Sequence, residues 1–273
     1  MLAEWLKHLT TPCPPPLKAM GYLKELIAMQ ARHRRCHDAW APHLRECRAV
    51  IDKATEDIGH KKVTVLGSGL LLDFSLDMLA DSFDDVVLVD IVHLPAVQKR
   101  VRAFANVRLV SADVAGIAEA TWDHVTHGRT DALPSPRADA GLYADSDLVI
   151  SANLLTQLPL MPLGLLMDKA KGYPDDAIKT FARHIVENHL ALLGALPGRV
   201  CLVTETQRVI YGGPSNNGGG DEMIEEIDPL FGAAIPASGR KWIWNIAPRP
   251  EINPHIDLRF RMTGIVDLKA AIG

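Results

Sequence analysis

From residue 59 onward the chain alternates short, continuous apolar runs with longer stretches whose apolar residues recur at helical spacing. The runs Val63-Thr64-Val65-Leu66, Val86-Val87-Leu88-Val89, Val107-Arg108-Leu109-Val110 and Leu148-Val149-Ile150 are short and rich in β-branched residues. Each is predicted to be a strand covered on both faces, as in a parallel sheet. Residues 71–80, 95–105 and 115–121 are placed to supply helical crossovers between them. Residues 176–196 carry an amphipathic helical pattern ended by Pro197-Gly198, and 199–210 read as a fifth strand. Runs 240–245 and 257–263, joined by the proline-punctuated segment 248–254, are spaced for a closing antiparallel pair. The pattern predicts an α/β fold built on a doubly wound, mostly parallel, Rossmann-like sheet.

Residues 1–58 have a different texture and read as an N-terminal helical extension, with the α/β domain spanning 59–273. Thr11-Pro12-Cys13-Pro14-Pro15-Pro16 cannot propagate a helix, because each proline removes a donor and restricts its predecessor, so it reads as a rigid lead-in. Residues 17–58 are predicted to form two helices hinged at Ala41-Pro42. Residues 211–220, rich in glycine and asparagine, read as a loop that could serve as a lid.

Composition narrows the class of function. The 273 residues carry 29 basic and 33 acidic side chains, a formal charge of −4, with no long Lys/Arg run to track a phosphate backbone, so no nucleic-acid partner is expected. No apolar stretch approaches the ~20 residues that span a bilayer, and no membrane partner is expected. The first eleven residues include Glu4, Lys7 and His8 and lack the core of a signal peptide. Four scattered cysteines, Cys13, Cys36, Cys47 and Cys201, fit a reducing cytoplasm. Oligomeric state is not encoded legibly.

In an open parallel sheet, ligands bind beyond the carboxyl ends of the strands. The first strand ends in Gly67-Ser68-Gly69, where absent side chains let the backbone approach a ligand. The second ends in Asp90, whose carboxylate can accept both hydroxyls of a ribose. The third runs into Ser111-Ala112-Asp113 and the fourth into Ser151-Ala152-Asn153. Such a set suits a dinucleotide or S-adenosylmethionine. The dinucleotide pattern G-x-G-x-x-G requires glycine where this chain has Leu72, which disfavours a dehydrogenase.

Val65-Leu66-Gly67-Ser68-Gly69, Val87-Leu88-Val89-Asp90, Ser111-Ala112-Asp113 and 147–155 together resemble the successive motifs of class I S-adenosylmethionine-dependent methyltransferases, over roughly residues 60–165. The resemblance implies a seven-stranded sheet with the last strand antiparallel, and S-adenosyl-L-methionine as cofactor. It places Gly67, Ser68 and Gly69 beneath the methionine part, Asp90 on the ribose, Ile91 against the adenine, Asp113 and Val114 at the adenine edge, and Ser151, Ala152 and Asn153 at the methyl end. The chain departs from the common motif at Val65, often acidic, and at Leu71, often glycine. Asn153-Leu154-Leu155-Thr156 lacks the Asn/Asp-Pro-Pro-Tyr/Phe tetrapeptide of enzymes that methylate nucleobases or glutamine, which lowers those acceptors in rank, and the Leu-Leu-Thr-Gln-Leu-Pro run resembles small-molecule methyltransferases. His93, Glu205, Tyr211 and His255 are the candidate bases, none distinguished by spacing. The alternative is a non-catalytic adenosyl-ligand binder or scaffold with the same fold.

Several residues have plainer readings. Asp90 and Asp113 also suit helix N-caps. His33, Cys36, His37, His43 and Cys47 read as a polar helix face with buried cysteines, and no metal is expected. Arg32, Arg34 and Arg35 read as a solvated face. Trp242 and Trp244 share a strand face and read as core, with an aromatic substrate wall as the sharper alternative.

Overall fold

The computed structural model describes residues 2–170, 172–214 and 221–272. The chain opens with helices α1 (Leu2–Thr10), α2 (Pro15–Met20), α3 (Tyr22–Arg35) and α4 (His37–Ala54). The alternating part runs β1 (Lys62–Leu66), α5 (Leu76–Ser82), β2 (Asp85–Asp90), α6 (Pro95–Val101), β3 (Val107–Ser111), α7 (Ala118–Thr126), β4 (Leu148–Ala152), α8 (Leu160–Lys169), α9 (Asp175–Ala195) and β5 (Arg199–Pro214). β6 (Asp221–Ile227), β7 (Arg240–Ala247), β8 (Ile256–Ile265) and α10 (Leu268–Ile272) follow.

The strands form one sheet in the order β3-β2-β1-β4-β5-β8-β7, with β6 paired to β5 off this path. β1 to β5 pair in parallel, β8 runs antiparallel to β5, and β7 runs antiparallel to β8. Along the seven-strand path β8 alone is reversed, as the resemblance implies, and β6 brings the sheet to eight strands rather than seven. β6 escaped the sequence reading because its side chains are exposed or half-exposed throughout, which leaves no apolar alternation. Of the segment 211–220 read as a lid loop, 211–214 instead continue β5, paired to β6 and β8, and residues 215–220 lie outside the described residues.

Strand order reverses about β1, with β2 on one side and β4 on the other, and the carboxyl ends of these strands make the crevice where such sheets bind ligands. Residues 67–75 form a long loop before α5, which starts only at Leu76 because the Ser75 hydroxyl accepts the Met78 amide at 3.3 Å as its cap.

The N-terminal helices depart from the expected hinge. The break falls at Cys36, and α4 runs through Pro42. Pro42 lies in the second turn, where its missing N–H leaves only the Asp38 carbonyl without an intrahelical partner, at an exposed residue. Pro15 and Pro16 also open α2 rather than continuing the lead-in, since prolines fit a first helical turn. Gly21, at φ +100, is the corner between α2 and α3.

Residues 37–54 are built into the α/β unit. Trp40, Cys47 and Ile51 of α4 share a core with Val63 of β1, Ile150 of β4 and Phe260 of β8. The Trp40 indole N–H donates to the Ile246 carbonyl of β7 at 2.9 Å. Arg32 and Arg35 are not a free solvated face, because both pair with the nearly buried Glu251 carboxylate, at 3.3 and 2.6 Å. That clamp holds the far end of α3 over the sheet.

Candidate functional site

The carboxyl ends of β1 to β4 open into a cleft of about 1200 Å3, mouth included, roofed by Tyr22, Glu25, Leu26 and Met29 of α3. Eight of the ten expected cofactor contacts line it: Gly67 and Gly69, Asp90 and Ile91, Asp113 and Val114, Ala152 and Asn153. Ser68 and Ser151 do not. Ser68 is buried with no partner for its hydroxyl, and the Ser151 hydroxyl sits 3.1 Å from Nε2 of His189 inside the sheet layer.

Asp90 ends β2 with both carboxylate oxygens engaged by backbone. Oδ2 accepts the Gly69 amide and Oδ1 the Ile91 amide, each at 2.7 Å. Burial pushes its carboxyl above the usual range, while the Gly69, Ile91 and Val92 amides and His93 pull it back. A carboxylate offers about four lone-pair sites, so about one or two remain for hydroxyls from the cleft. Asp113 accepts the Ala115 amide on Oδ1 and the Ile117 and Ala118 amides on Oδ2, at 2.7 to 3.1 Å. It therefore caps the turn into α7, as its plainer reading holds, while also lining the cleft.

The loop after β1 keeps the shape that glycine favours. Gly67 has φ +74, and an added Cβ would lie 2.9 Å from Cβ of Leu154. Leu71, where the resembled motif often has glycine, itself sits at φ +59. The left-handed conformation is retained with a side chain that packs against two hydrophobic clusters.

A second group at the cleft was not read as functional in the sequence. His43 is fully buried, stacked on Trp244 with centroids 3.9 Å apart and planes 5° from parallel. The Trp242 indole N–H donates to its Nδ1 at 3.0 Å. The neutral ring then carries its proton on Nε2, which faces Cys47 Sγ at 3.4 Å, Asp73 Oδ1 at 3.7 Å and the Asn153 amide at 3.2 Å. An Nε2–H facing an amide calls for its oxygen, so Asn153 is read with Oδ1 toward the ring, which gives that buried atom a partner. The ligating atoms of His43, Cys47 and Asp73 lie within 4.8 Å of one another. A protonated Nε2 is no ligand, and burial, then Asp73, raises the Cys47 thiol, so the trio is not poised for a cation.

None of the four candidate bases lines the cleft. His93 is buried, with Nε2 3.1 Å from the Val110 carbonyl. Glu205 is buried, ion-paired with Arg208 and accepting the Thr156 hydroxyl at 2.6 Å. Tyr211 lies under the Arg259 guanidinium at 4.5 Å, and His255 is exposed on the 248–255 segment. Asp73, Trp40 and Trp244 line the cleft instead. Trp244 is thus both core and cavity wall. Asp73 lies in a loop without periodicity and carried no signal; the Trp242-x-Trp244 alternation was the available hint.

No family model matches the sequence, and no curated protein matches it. Among solved structures, DhpI in complex with SAH aligns at 15% identity and a TM-score of 0.36, over 87% of this chain and 93% of that one. The Burkholderia thailandensis 1,6-didemethyltoxoflavin-N1-methyltransferase, with 1,6-didemethyltoxoflavin and S-adenosylhomocysteine bound, aligns at 14% identity and a TM-score of 0.36, over 92% of each chain. The 23S rRNA methyltransferase ErmE aligns at 11% identity and a TM-score of 0.26, over 81% of this chain and 69% of that one. Among the described residues no helix is long and apolar enough to cross a membrane.

Proposed function

We propose that the cleft binds S-adenosyl-L-methionine and that the protein is a class I S-adenosylmethionine-dependent methyltransferase acting on a small-molecule acceptor. The observation that carries this reading is Asp90, a carboxylate at the end of β2, tied to the Gly69 amide of the β1 turn and facing the cleft with lone pairs to spare. The donor set fits the cofactor. Asp90 suits a ribose diol, Ile91 and Val114 give apolar walls for a planar base, and Asp113 keeps an acceptor site for an exocyclic amino group. Gly67 and Gly69 let the β1 turn approach a ligand without side chains. Leu72 lines the cleft where a dinucleotide fingerprint needs glycine.

When bound, the cofactor supplies a methyl group already activated on a sulfonium. The residues of this chain then have to hold the acceptor in line and exclude water, work that contributes on the order of 7–11 kcal/mol. Ala152, Asn153 and Trp244 line the end of the cleft proposed for the acceptor, and α3 roofs it.

Calorimetric titration with S-adenosylmethionine, S-adenosylhomocysteine and NAD⁺ tests the reading. Micromolar binding of both adenosyl ligands without NAD⁺ is the expected result. NAD⁺ binding alone, or binding of none of the three, overturns it.

A further inference from the structure

Four carboxylates line the cleft, Glu25, Asp73, Asp90 and Asp113, and among the described lining residues there is no Lys, Arg or His. Low-dielectric walls of one sign concentrate the opposite charge and repel their own. Carboxylate, phosphate and thiolate acceptors are therefore disfavoured. Asp90 and Asp113 hold backbone amides and have their remaining acceptor sites assigned to the cofactor above, and Glu25 is exposed on the outer roof. Asp73 differs. Its carboxylate lies 3.7 Å from His43 Nε2, beyond hydrogen-bond reach, and within 4.8 Å of Cys47 Sγ, its charge also reaches His33, and its side chain is 23% exposed.

Beside Asp73 the indoles of Trp40 and Trp244 meet edge to face, with centroids 4.8 Å apart and planes at 85°, and both line the cleft. Their positions are fixed, Trp40 by its hydrogen bond to Ile246 and Trp244 by stacking on His43. Trp244 is only 4% exposed, and its indole N–H has no partner. An aromatic corner next to an uncommitted carboxylate is an environment that favours an alkylammonium.

Resting on the cofactor reading above, we infer that the acceptor is an amine methylated at nitrogen, with Asp73 and the Trp40–Trp244 corner holding the charge that nitrogen acquires. The lone pair of the neutral amine forms the new N–C bond as the methyl–sulfur bond breaks, and that bond's electron pair stays on sulfur. Positive charge passes from sulfonium to nitrogen, and the ammonium then sheds a proton to solvent. A fixed carboxylate stabilises charge where it arrives, bordered by the nearly buried indoles of Trp40 and Trp244 at 2% and 4% exposure. An acceptor that enters as the ammonium must lose one proton before its lone pair can attack, and Asp73 can accept that proton and pass it to solvent, since His93, Glu205, Tyr211 and His255 do not line the cleft.

The test uses intact protein and three measurements. Calorimetry with S-adenosylhomocysteine is run first on wild type and Asp73→Asn; equal affinity is expected, and no binding by wild type would remove the cofactor reading itself. Saturated with S-adenosylhomocysteine, wild type is then titrated with tetramethylammonium and with pivalate, an anion of similar shape, while tryptophan fluorescence is read. Saturable quenching by tetramethylammonium only, weakened at least tenfold in Asp73→Asn and retained in Asp73→Glu, is the expected result. Equal response to pivalate, or equal response of wild type and Asp73→Asn to tetramethylammonium, overturns the inference. So does an Asp73→Asn loss confined to S-adenosylhomocysteine, which would put Asp73 on the cofactor's amino-acid end.

Discussion

The indole N–H of Trp242 and Nδ1 of His43 lie 3.0 Å apart across 199 residues, joining an N-terminal helix to a C-terminal strand at the wall of the cleft. His43 is fully buried, so the bond sets the tautomer of a ring that also stacks beneath Trp244. Trp242→Phe keeps most of the apolar bulk but strands Nδ1. A loss of about 1–3 kcal/mol in unfolding free energy is expected. Urea denaturation measures it, and an unchanged midpoint would remove the bond from the account.

Asp90→Ala removes a carboxylate that two backbone amides depend on as well as the proposed ribose contacts. Each charge-assisted hydrogen bond is worth about 1.5–3 kcal/mol. S-adenosylhomocysteine affinity is expected to fall at least a hundredfold in calorimetry, together with a lower melting temperature from the untied Gly69 turn. Full affinity in a stable variant would exclude Asp90 from the site.

Two glycines should respond to alanine in opposite directions. Gly67 has φ +74 and would drive a Cβ to 2.9 Å from Leu154, so Gly67→Ala is expected to cost about 1–3 kcal/mol and to crowd the cleft. Gly164 lies inside α8 with nothing within 4 Å of an added Cβ, so Gly164→Ala is expected to stabilise by about 0.5–1 kcal/mol. Paired thermal melts and S-adenosylhomocysteine titrations of the two variants give the comparison.

Burial pushes the imidazole of His189 down to about 4. The folded protein thus keeps it neutral where the unfolded chain, with an ordinary value near 6.5, takes up a proton. Its contribution is fully present above about pH 6.5 and is lost as pH falls toward 4, up to about 3 kcal/mol. His189→Gln should flatten the dependence of unfolding free energy on pH in that window. Parallel curves for the two proteins would contradict this.

The alternation of β-branched runs with helical stretches made the sheet legible, because buried parallel strands have no polar face to disguise them. The residues ending β1 to β4 were legible for the same reason, since turn chemistry follows each strand directly. Asp73, Trp40 and His43 were not. The roles of Trp40 and His43 depend on α4 and β7 converging from opposite ends of the chain, and that of Asp73 on the 67–75 loop coming beside His43, juxtapositions that local pattern does not contain. β6 was missed because exposed strands lack an apolar period, and the Cys36 break because Pro42 marked a more obvious boundary than the one the chain uses.

The hydrogen bond from Trp40 to Ile246 spans 206 residues, and this has a consequence for synthesis. At roughly 5–20 residues per second, α4 emerges roughly 10–40 s before the strand it packs on. Its apolar face, Trp40, Leu44, Cys47 and Ile51, waits that long without β7, as does the wall that gives the cleft its aromatic corner. That face is therefore only partly covered, by β1, β4 and β5, until β7 is made, and a truncation just before Arg240 should leave Trp40 without its hydrogen-bond acceptor.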